Sequence, residues 1–146
     1  MFRRGFLYST SALSARAGQY IFAGYLYPDI LLVSRDRDSE IPVNGLGRYK
    51  RIVGAIINDR PVWEHEAGDS FVFSCIGPGP GVSNYWLLGP DPKKAEAWIK
   101  TTEPAVEEKI PEVGWEYEYD KAWRPDSLLK VVGMFNSIYF VVHLYI

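Results

Sequence analysis

Residues 114–120 read Gly-Trp-Glu-Tyr-Glu-Tyr-Asp, and this stretch decides the fold class. Its aromatic side chains, Trp115, Tyr117 and Tyr119, alternate strictly with acidic ones. Because successive side chains of a β-strand point to opposite faces, this alternation predicts a strand with one aromatic inner face and one charged, solvated face. The Asp120-Lys121-Ala122 sequence that follows is suited to a turn.

Similar short aromatic runs, separated by glycine or proline turns, extend from Trp63 to Trp123 and hold all five tryptophans of the chain. Large aromatic side chains bury much apolar area and dominate small cores. The spacing of runs and turns predicts a mainly β fold, a small antiparallel sheet, sandwich or barrel with at most one or two short helical turns. The predicted structural core residues are Trp63, Phe71, Phe73, Trp86, Trp115 and Tyr117.

Only two stretches have a helical pattern. Asp91 is suited to cap a helix with Pro92 at its first position, which would run from Lys93 to Ile99. A single further turn is predicted from Ala105 to Lys109. Both are too short to be stable without tertiary contacts. Pro125 confines the strand that begins near Trp123 to a sheet edge or a loop.

Composition excludes several classes of function. The 146 residues suffice for one domain with its own hydrophobic core, and the single cysteine, Cys75, excludes an intramolecular disulfide and a cysteine-rich metal site. All 18 acidic residues lie between Asp29 and Asp126, which gives the body of the chain an acidic balance. Nucleic-acid binding requires clustered lysine and arginine, so no nucleic-acid partner is predicted. No cofactor is predicted either.

A small polar cluster surrounds His65. A histidine beside carboxylates such as Glu66 and Asp69 can perform acid–base chemistry or bind a metal. Strand alternation, however, places His65 on the face opposite Glu66, and no second histidine lies nearby. A surface cluster flanking a turn is the favoured interpretation; a hydrolase or metal site at His65, Glu66 and Asp69 is the least favoured. Cys75, close to two phenylalanines, is interpreted as a small core residue.

Aromatic-rich β modules can also bind sugars, which stack on exposed tryptophan or tyrosine rings beside hydrogen-bonding groups. Two tryptophans have charged neighbours that fit this pattern: Trp98 beside Lys100, and Trp123 beside Arg124 and Asp126. The candidate ligand-binding residues are Trp98, Trp123, Arg124 and Asp126. The alternative, which is favoured, is that both rings fill the core, because each lies in an apolar run.

The two ends of the chain differ from its middle. Residues 1–17 are arginine-bearing, serine-rich and acid-free. This composition is typical of a transit peptide for a mitochondrion or plastid; a disordered tail, a mis-assigned start codon and a secretory signal are the alternatives. Residues 131–146 are almost uncharged, shorter than the about 20 apolar residues of a membrane-spanning helix, and rich in β-branched residues. A terminal core strand is favoured there over a membrane anchor or a tail unrelated to the fold.

Turn residues and tryptophans recur in a recognisable order. The matching segments are Val43-Asn44-Gly45, Asn58-Asp59-Arg60-Pro61-Val62-Trp63, Trp86-Leu87-Leu88-Gly89-Pro90, Gly114-Trp115-Glu116-Tyr117 and Trp123-Arg124-Pro125-Asp126. This order resembles a small tryptophan- and glycine-rich β module, often repeated, in proteins of algae, protists and marine animals. Two turns depart from its pattern, since Asp59 replaces a glycine and Asp120-Lys121-Ala122 contains none. Looser turns are predicted at both places.

The resemblance covers residues 41–131, and the composition of the flanking segments divides the rest of the chain. We predict a transit peptide or disordered tail over residues 1–18, an apolar segment of uncertain structure over residues 19–40, and an apolar strand or tail over residues 132–146. The module has no settled family name and assigns no catalytic residue. Because it commonly accompanies other domains, the resemblance implies an accessory or binding role.

The leading hypothesis is a non-enzymatic interaction module that binds an unknown protein or glycan. It rests on the turn-rich β pattern and on the lack of paired titratable groups. One alternative is a structural accessory subunit of an organelle assembly, suggested by the two ends of the chain. Another is a carbohydrate-binding module. Membrane contact through residues 131–146 is not favoured.

Overall fold

The computed structural model describes residues 7–8, 20–22, 25–36, 42–76, 84–94, 96–105 and 109–135. Within these ranges the regular elements are all β-strands and no helix is present. The strands are β1 (Leu7–Tyr8), β2 (Tyr20–Phe22), β3 (Tyr25–Tyr27), β4 (Ile30–Arg35), β5 (Gly47–Ile57), β6 (Arg60–His65), β7 (Phe71–Ile76), β8 (Asn84–Gly89), β9 (Ile99–Thr101), β10 (Trp115–Tyr119), β11 (Ala122–Pro125) and β12 (Leu129–Met134).

Strands β4 to β12 form one antiparallel sheet that confirms the predicted mainly β class. Their order is β11-β10-β9-β8-β7-β6-β5-β4-β12; β1 pairs in addition with β5, and β2 and β3 form a separate two-stranded sheet. Successive strands are therefore neighbours in space except at the end, where β12 pairs with β4 instead of β11. Antiparallel neighbours need only short connections, which explains the density of turn residues in the sequence.

The sheet curls so that its distant strands approach each other. Five strands separate β4 from β10 in the sheet order. Nevertheless the Arg35 guanidinium of β4 lies 5.3 Å from the ring centre of Tyr117 in β10. The Val131 N–H of β12 also donates to the Glu112 carbonyl, just before β10, at 2.9 Å. A flat sheet could not make these contacts, so the sheet encloses a concave interior.

A continuous row of apolar side chains crosses this interior. Trp63, Val72, Leu88, Ile99 and Tyr117 are direct cross-strand partners on β6 to β10, and none is more than 6% exposed. Direct partners on one face of an antiparallel sheet lie within contact distance. The row therefore ties five strands to one core.

Three of the five tryptophans fill the same interior. Trp63, Trp86 and Trp115 are at most 1% exposed, and the rings of Trp63 and Trp86 meet edge to face with centroids 6.0 Å apart. The indole N–H of Trp63 donates to Pro28 and that of Trp115 to Pro111. A buried indole that keeps a hydrogen bond combines a large apolar area with a satisfied polar atom.

A second, smaller cluster covers the opposite face of the sheet. Val62, Phe73 and Leu87 are buried there, and Phe71 and Cys75 are half-buried beside them. Of the predicted core residues, Phe71 and Phe73 belong to this cluster, whereas the four others lie in the concave interior. The central strands β6 to β8 are thus apolar on both faces.

The two turns that were predicted to be loose are tight. Asn58 and Asp59 have φ values of 54° and 62°, and Asp120 and Lys121 have φ values of 52° and 61°. Two consecutive positive φ angles are typical of the type I′ turn, whose twist matches that of the strands it joins. The short polar side chains of asparagine and aspartate tolerate this left-handed conformation without glycine.

Lys121 is the residue least suited to its turn, so Lys121→Gly is expected to stabilise the fold. A left-handed residue with a Cβ costs about 1–2 kcal/mol, of which the larger chain entropy of glycine offsets roughly 0.5–1 kcal/mol. We expect the free energy of unfolding, measured by urea denaturation, to rise by about 0.5–1 kcal/mol. Lys121→Ala, the control, keeps the Cβ and should give no gain. A glycine variant no more stable than the alanine variant would contradict the argument.

The helix predicted from Lys93 to Ile99 is wrong. The Asp91 carboxylate does accept the Lys93 N–H at 2.9 Å, but this contact closes a turn, and Asp91 then forms a bridge with Glu96. Ile99 is fully buried in β9, where strand pairing sets it between Leu88 and Tyr117. Tertiary pairing of Ile99 outweighs the local capping signal. In the turn predicted from Ala105 to Lys109, residues 106–108 lie outside the described residues.

The ends of the chain are described only in part. The sheet runs from Ile30 to Met134, and it includes residues on both sides of the 41–131 segment. Residues 7–8 of the transit-like segment form β1, and residues 131–134 lie in β12; the rest of 1–17 and residues 136–146 lie outside the described residues. In the described part of the chain, no helix is long and apolar enough to cross a membrane.

Candidate functional site

His65 lies at the end of β6, and both of its ring nitrogens are hydrogen-bonded. The Ala67 backbone N–H donates to Nδ1 at 2.9 Å, and Nε2 lies 3.0 Å from the Leu46 carbonyl oxygen. Because Nδ1 accepts a hydrogen bond, the ring proton is on Nε2 and is donated to Leu46. Neither nitrogen keeps a free lone pair, so the ring has none to offer to a metal or to a substrate proton.

The two carboxylates predicted to accompany His65 form no hydrogen bond with its ring. Glu66 pairs with Arg48 at 3.2 Å, and both side chains are more than half exposed. Asp69 comes only within 3.7 Å of His65 Nδ1, which is too long for a hydrogen bond. Among the residues that the structure describes, no group of three His, Cys, Asp or Glu side chains is placed to hold a metal. The described residues around His65 thus form a turn-stabilising cluster.

Tyr49 and Ser70 form a buried pair that the sequence did not reveal. The Tyr49 hydroxyl donates to the Gly45 carbonyl at 2.6 Å and accepts from the Ser70 hydroxyl at 2.9 Å. Burial raises the pKa of the Tyr49 phenol well above its usual value, so it stays protonated as a donor. This hydroxyl holds the 42–46 loop against the sheet. No local pattern links Tyr49 to Ser70, because only strand pairing brings them together.

Cys75 lies half-buried against the outer apolar cluster. Burial raises the pKa of its thiol. Since the thiolate is the nucleophilic form, a raised pKa makes the side chain less reactive at neutral pH. The environment of Cys75 is that of a small packing residue.

Of the candidate ligand-binding residues, Trp98 faces the concave interior. Its backbone joins two strands, because the Trp98 N–H donates to Leu88 at 2.8 Å and its carbonyl accepts from Glu118 at 2.9 Å. Its half-buried ring packs on the interior cluster close to Gly45, where a Cβ would lie 3.4 Å from the ring. Trp98 therefore closes one end of the interior together with the 42–46 loop.

Asp126, predicted to lie beside Trp123 in a ligand site, is buried. It is 9% exposed, and its carboxylate forms an ion pair with Arg35 of β4. Its other oxygen accepts the Leu128 N–H at 2.9 Å. Both oxygens have structural partners, so Asp126 does not contribute to a surface beside Trp123.

Trp123 and Arg124 lie on β11 of the β10–β11 hairpin, and each takes part in a contact between a cation and an aromatic ring. The Lys100 ammonium is 4.5 Å from the centre of the Trp123 ring and pairs with Glu116 at 3.3 Å. The Arg124 guanidinium is 5.2 Å from the ring centre of Tyr119, which is 42% exposed. Because successive side chains of a strand point to opposite faces, Lys100, Glu116 and Trp123 lie on one face of the hairpin and Tyr119 and Arg124 on the other. We call these five residues together the hairpin surface.

Sequence reasoning identified only part of the hairpin surface. Trp123 and Arg124 were candidates because they are adjacent in the chain. The sequence places Lys100 beside Trp98 and does not point to Glu116, because the approach of both to Trp123 depends on the pairing of β9 with β10, in which Lys100 is opposite Glu116. Tyr119 had been placed on the inner aromatic face with Trp115. The exposure of Tyr119 follows from its position at the end of the strand, beyond the enclosed interior.

A cleft of about 390 Å³ opens in the connection between β9 and β10. Its walls are largely apolar and include Pro104, Ala105, Pro111 and Val113. Residues 106–108, which belong to the same connection, lie outside the described residues. The hairpin surface, in contrast, consists of described residues throughout.

Comparison of the chain with models of known protein families found no match. Comparisons with curated proteins and with solved structures found none either.

Proposed function

We propose that this chain is a non-enzymatic interaction module that binds a partner protein or glycan through the hairpin surface. The observation that carries the proposal is the pairing of an aromatic ring with a cation on each side of one hairpin at the end of the sheet order. Tryptophan, tyrosine and arginine are the residue types that most often dominate binding energy at interfaces. The hairpin carries one of each: Trp123 and Arg124 lie in β11, and Tyr119 is the last residue of β10.

The chemistry of the described polar groups supports binding over catalysis. A catalytic site needs a nucleophile or base with a free, activated atom. The nitrogens of His65 have hydrogen-bond partners, and burial raises the pKa of both the Cys75 thiol and the Tyr49 phenol. Each of these groups serves the fold in its present surroundings.

The free edge of β11 favours a partner that binds through side chains over a partner that adds a strand to the sheet. Asp126 donates its N–H to the Trp115 carbonyl at 3.0 Å. Because hydrogen-bonded pairs alternate along an antiparallel ladder, the backbone groups of Trp123 and Pro125 point to the free edge. Pro125 has no N–H, so this edge offers one donor only, at Trp123. Short edges with proline resist strand addition.

Trp123→Ala tests the proposal. Immobilised wild-type protein and variant would be compared on a glycan array and on extract from native cells, with bound components quantified. We expect at least one component that wild type retains and the variant loses by about 30-fold, the effect of a hot-spot residue worth about 2 kcal/mol. Val53→Ala is the control, because Val53 is 67% exposed on β5 and lies outside the hairpin surface.

The result also separates the two ligand classes. A glycan as the lost component would favour the carbohydrate-binding alternative, for which the partly buried Trp123 ring beside Lys100 and Glu116 is the supporting observation. A protein would favour the interaction module proper. Equal recovery of every component by wild type and Trp123→Ala would contradict both.

A further inference from the structure

The two faces of the β10–β11 hairpin differ in charge. On the face with Trp123, which we call the outer face, Glu118 is the direct cross-strand partner of Trp123, and Glu116, two residues earlier in β10, lies on the same face. Lys100 of β9, opposite Glu116, adds one cation to this face. Arg124, the residue after Trp123, points to the inner face. The strands thus place two carboxylates and one ammonium on the face that carries the Trp123 ring.

One of the two carboxylates already has a cation. The Lys100 ammonium pairs with Glu116 at 3.3 Å and lies 4.5 Å from the centre of the Trp123 ring. An indole ring attracts a cation through the negative potential of its face, and a neighbouring carboxylate neutralises the charge of that cation. The contacts of Lys100 therefore show that this face accommodates an ammonium group.

Glu118 is the second carboxylate, and its side chain is exposed. None of the ion pairs of the described residues includes Glu118. Cross-strand pairing sets its Cβ within about 5 Å of the Cβ of Trp123. The turn after Tyr119 contributes Asp120 and Lys121, whose charges cancel. The outer face therefore keeps one uncompensated negative charge, and that charge lies beside the aromatic ring.

The Trp123 ring lies next to the free edge of the sheet. β11 is the last strand of the sheet order and has β10 on one side. In the part of the chain that the structure describes, no strand pairs with its other side. Lys100 approaches the ring from β9, on the side of the sheet interior. A partner that arrives over the free edge therefore reaches the partly buried ring from outside the sheet.

We propose that the outer face binds a lysine or arginine side chain of a partner protein, whose cation lies against Trp123 and pairs with Glu118. This inference rests on the proposed function, because it specifies the partner of the hairpin surface as a protein with an exposed basic segment. Charge complementarity is the reason for the choice. A neutral ligand leaves the Glu118 charge unpaired, and an acidic ligand is repelled by it.

Lys100 acts as an internal competitor for the same face. Its ammonium repels a second cation beside the ring and occupies the Glu116 carboxylate. Lys100→Met removes the charge but keeps an apolar side chain of similar length. We therefore expect this variant to bind a basic segment more tightly than wild type, whereas a ligand that uses the Lys100 ammonium would bind more weakly.

The test titrates the full-length protein with a pentapeptide of alternating glycine and lysine, and with a counterpart in which serine replaces lysine. Binding is followed by nuclear magnetic resonance at the indole N–H of Trp123, which is assigned by its loss in Trp123→Ala. We expect only the lysine peptide to shift this resonance. Glu118→Gln should weaken its binding by about three- to fivefold, the scale of one exposed ion pair, and Lys100→Met should tighten it. Glu112→Gln, the control, removes an exposed carboxylate outside the hairpin and should keep the wild-type affinity.

Three results would overturn the proposal: equal shifts with both peptides, an affinity that Glu118→Gln leaves unchanged, or weaker binding in Lys100→Met. These results are distinguishable from failure of the proposed function. A component that Trp123→Ala loses but Glu118→Gln retains would support the hairpin surface as a binding site and overturn only the basic partner. If Trp123→Ala loses no component, the proposed function fails and the basic partner with it.

Discussion

Trp115→Ala is expected to lower the free energy of unfolding by about 3–5 kcal/mol, the range for truncation of a buried aromatic side chain. Trp115 is 1% exposed and belongs to the interior cluster with Trp63 and Trp86. The truncation removes the apolar area of the ring, leaves a cavity that the curled sheet cannot fill, and deletes the hydrogen bond from the indole to the Pro111 carbonyl at 2.9 Å. Chemical denaturation followed by far-ultraviolet circular dichroism measures the change independently of tryptophan fluorescence.

Trp123→Ala is the matched control for this loss. The Trp123 ring is only partly buried, and its defined contact is the Lys100 ammonium. A cation–π contact at an exposed site contributes about 0.5–1 kcal/mol, so this variant should lose about 1 kcal/mol. Similar losses for both variants would mean that burial of Trp115 is not the source of its effect. A Trp115 variant within 1 kcal/mol of wild type would show that the ring does not fill the interior.

A strand was predictable from the sequence where one stretch contained both the period-two alternation of apolar and polar residues and the residues of the turn that ends the strand. In β10, the alternation of Trp115 and Tyr117 with acidic residues was enough to predict a strand with an aromatic inner face, and both rings are buried. The turn after Tyr119 was visible in the same stretch. These signals are local, because side-chain alternation and turn preference depend on adjacent residues only.

The partners of individual side chains were not predictable, because they depend on how the sheet closes. Asp126 was placed in a ligand site beside Trp123, but the curl of the sheet brings it to Arg35 in β4. Lys100 reaches Trp123 only through the pairing of β9 with β10. A sequence pattern gives the face of a strand and leaves open which distant strand that face meets.

Asp126→Asn is expected to lower the free energy of unfolding by about 3–5 kcal/mol, because it removes the carboxylate charge from a buried ion pair with Arg35. The side chains of Arg35 and Asp126 are 10% and 7% exposed. Asparagine keeps a carbonyl oxygen that can accept the Leu128 N–H, as the Asp126 carboxylate does at 2.9 Å. The substitution therefore removes the charge of Asp126 but keeps the hydrogen bond that stabilises the turn.

The double variant Arg35→Met/Asp126→Asn should recover most of the loss, since it removes both charges and fills the arginine site with an apolar side chain of similar length. Lys130→Met is the control at a surface ion pair: Lys130 and Asp36 are 37% and 48% exposed. Solvent screens such exposed pairs, so the control should leave the free energy of unfolding close to that of wild type. A double variant as unstable as Asp126→Asn would show that the loss does not come from the broken ion pair.

The loss of stability in Asp126→Asn should be confined to particular strands. Arg35 contacts Asp126 between β11 and β12 and also lies over Tyr117 in β10, so this one guanidinium joins β4 to the base of the hairpin. The central strands β6 to β8 are apolar on both faces and do not depend on it. In Asp126→Asn, amide hydrogen exchange should therefore rise first in β10, β11 and β12 while protection in β6 to β8 persists. Uniform loss of protection would mean that the ion pair supports the whole sheet; loss confined to the hairpin would mean that it fixes the position of the hairpin only.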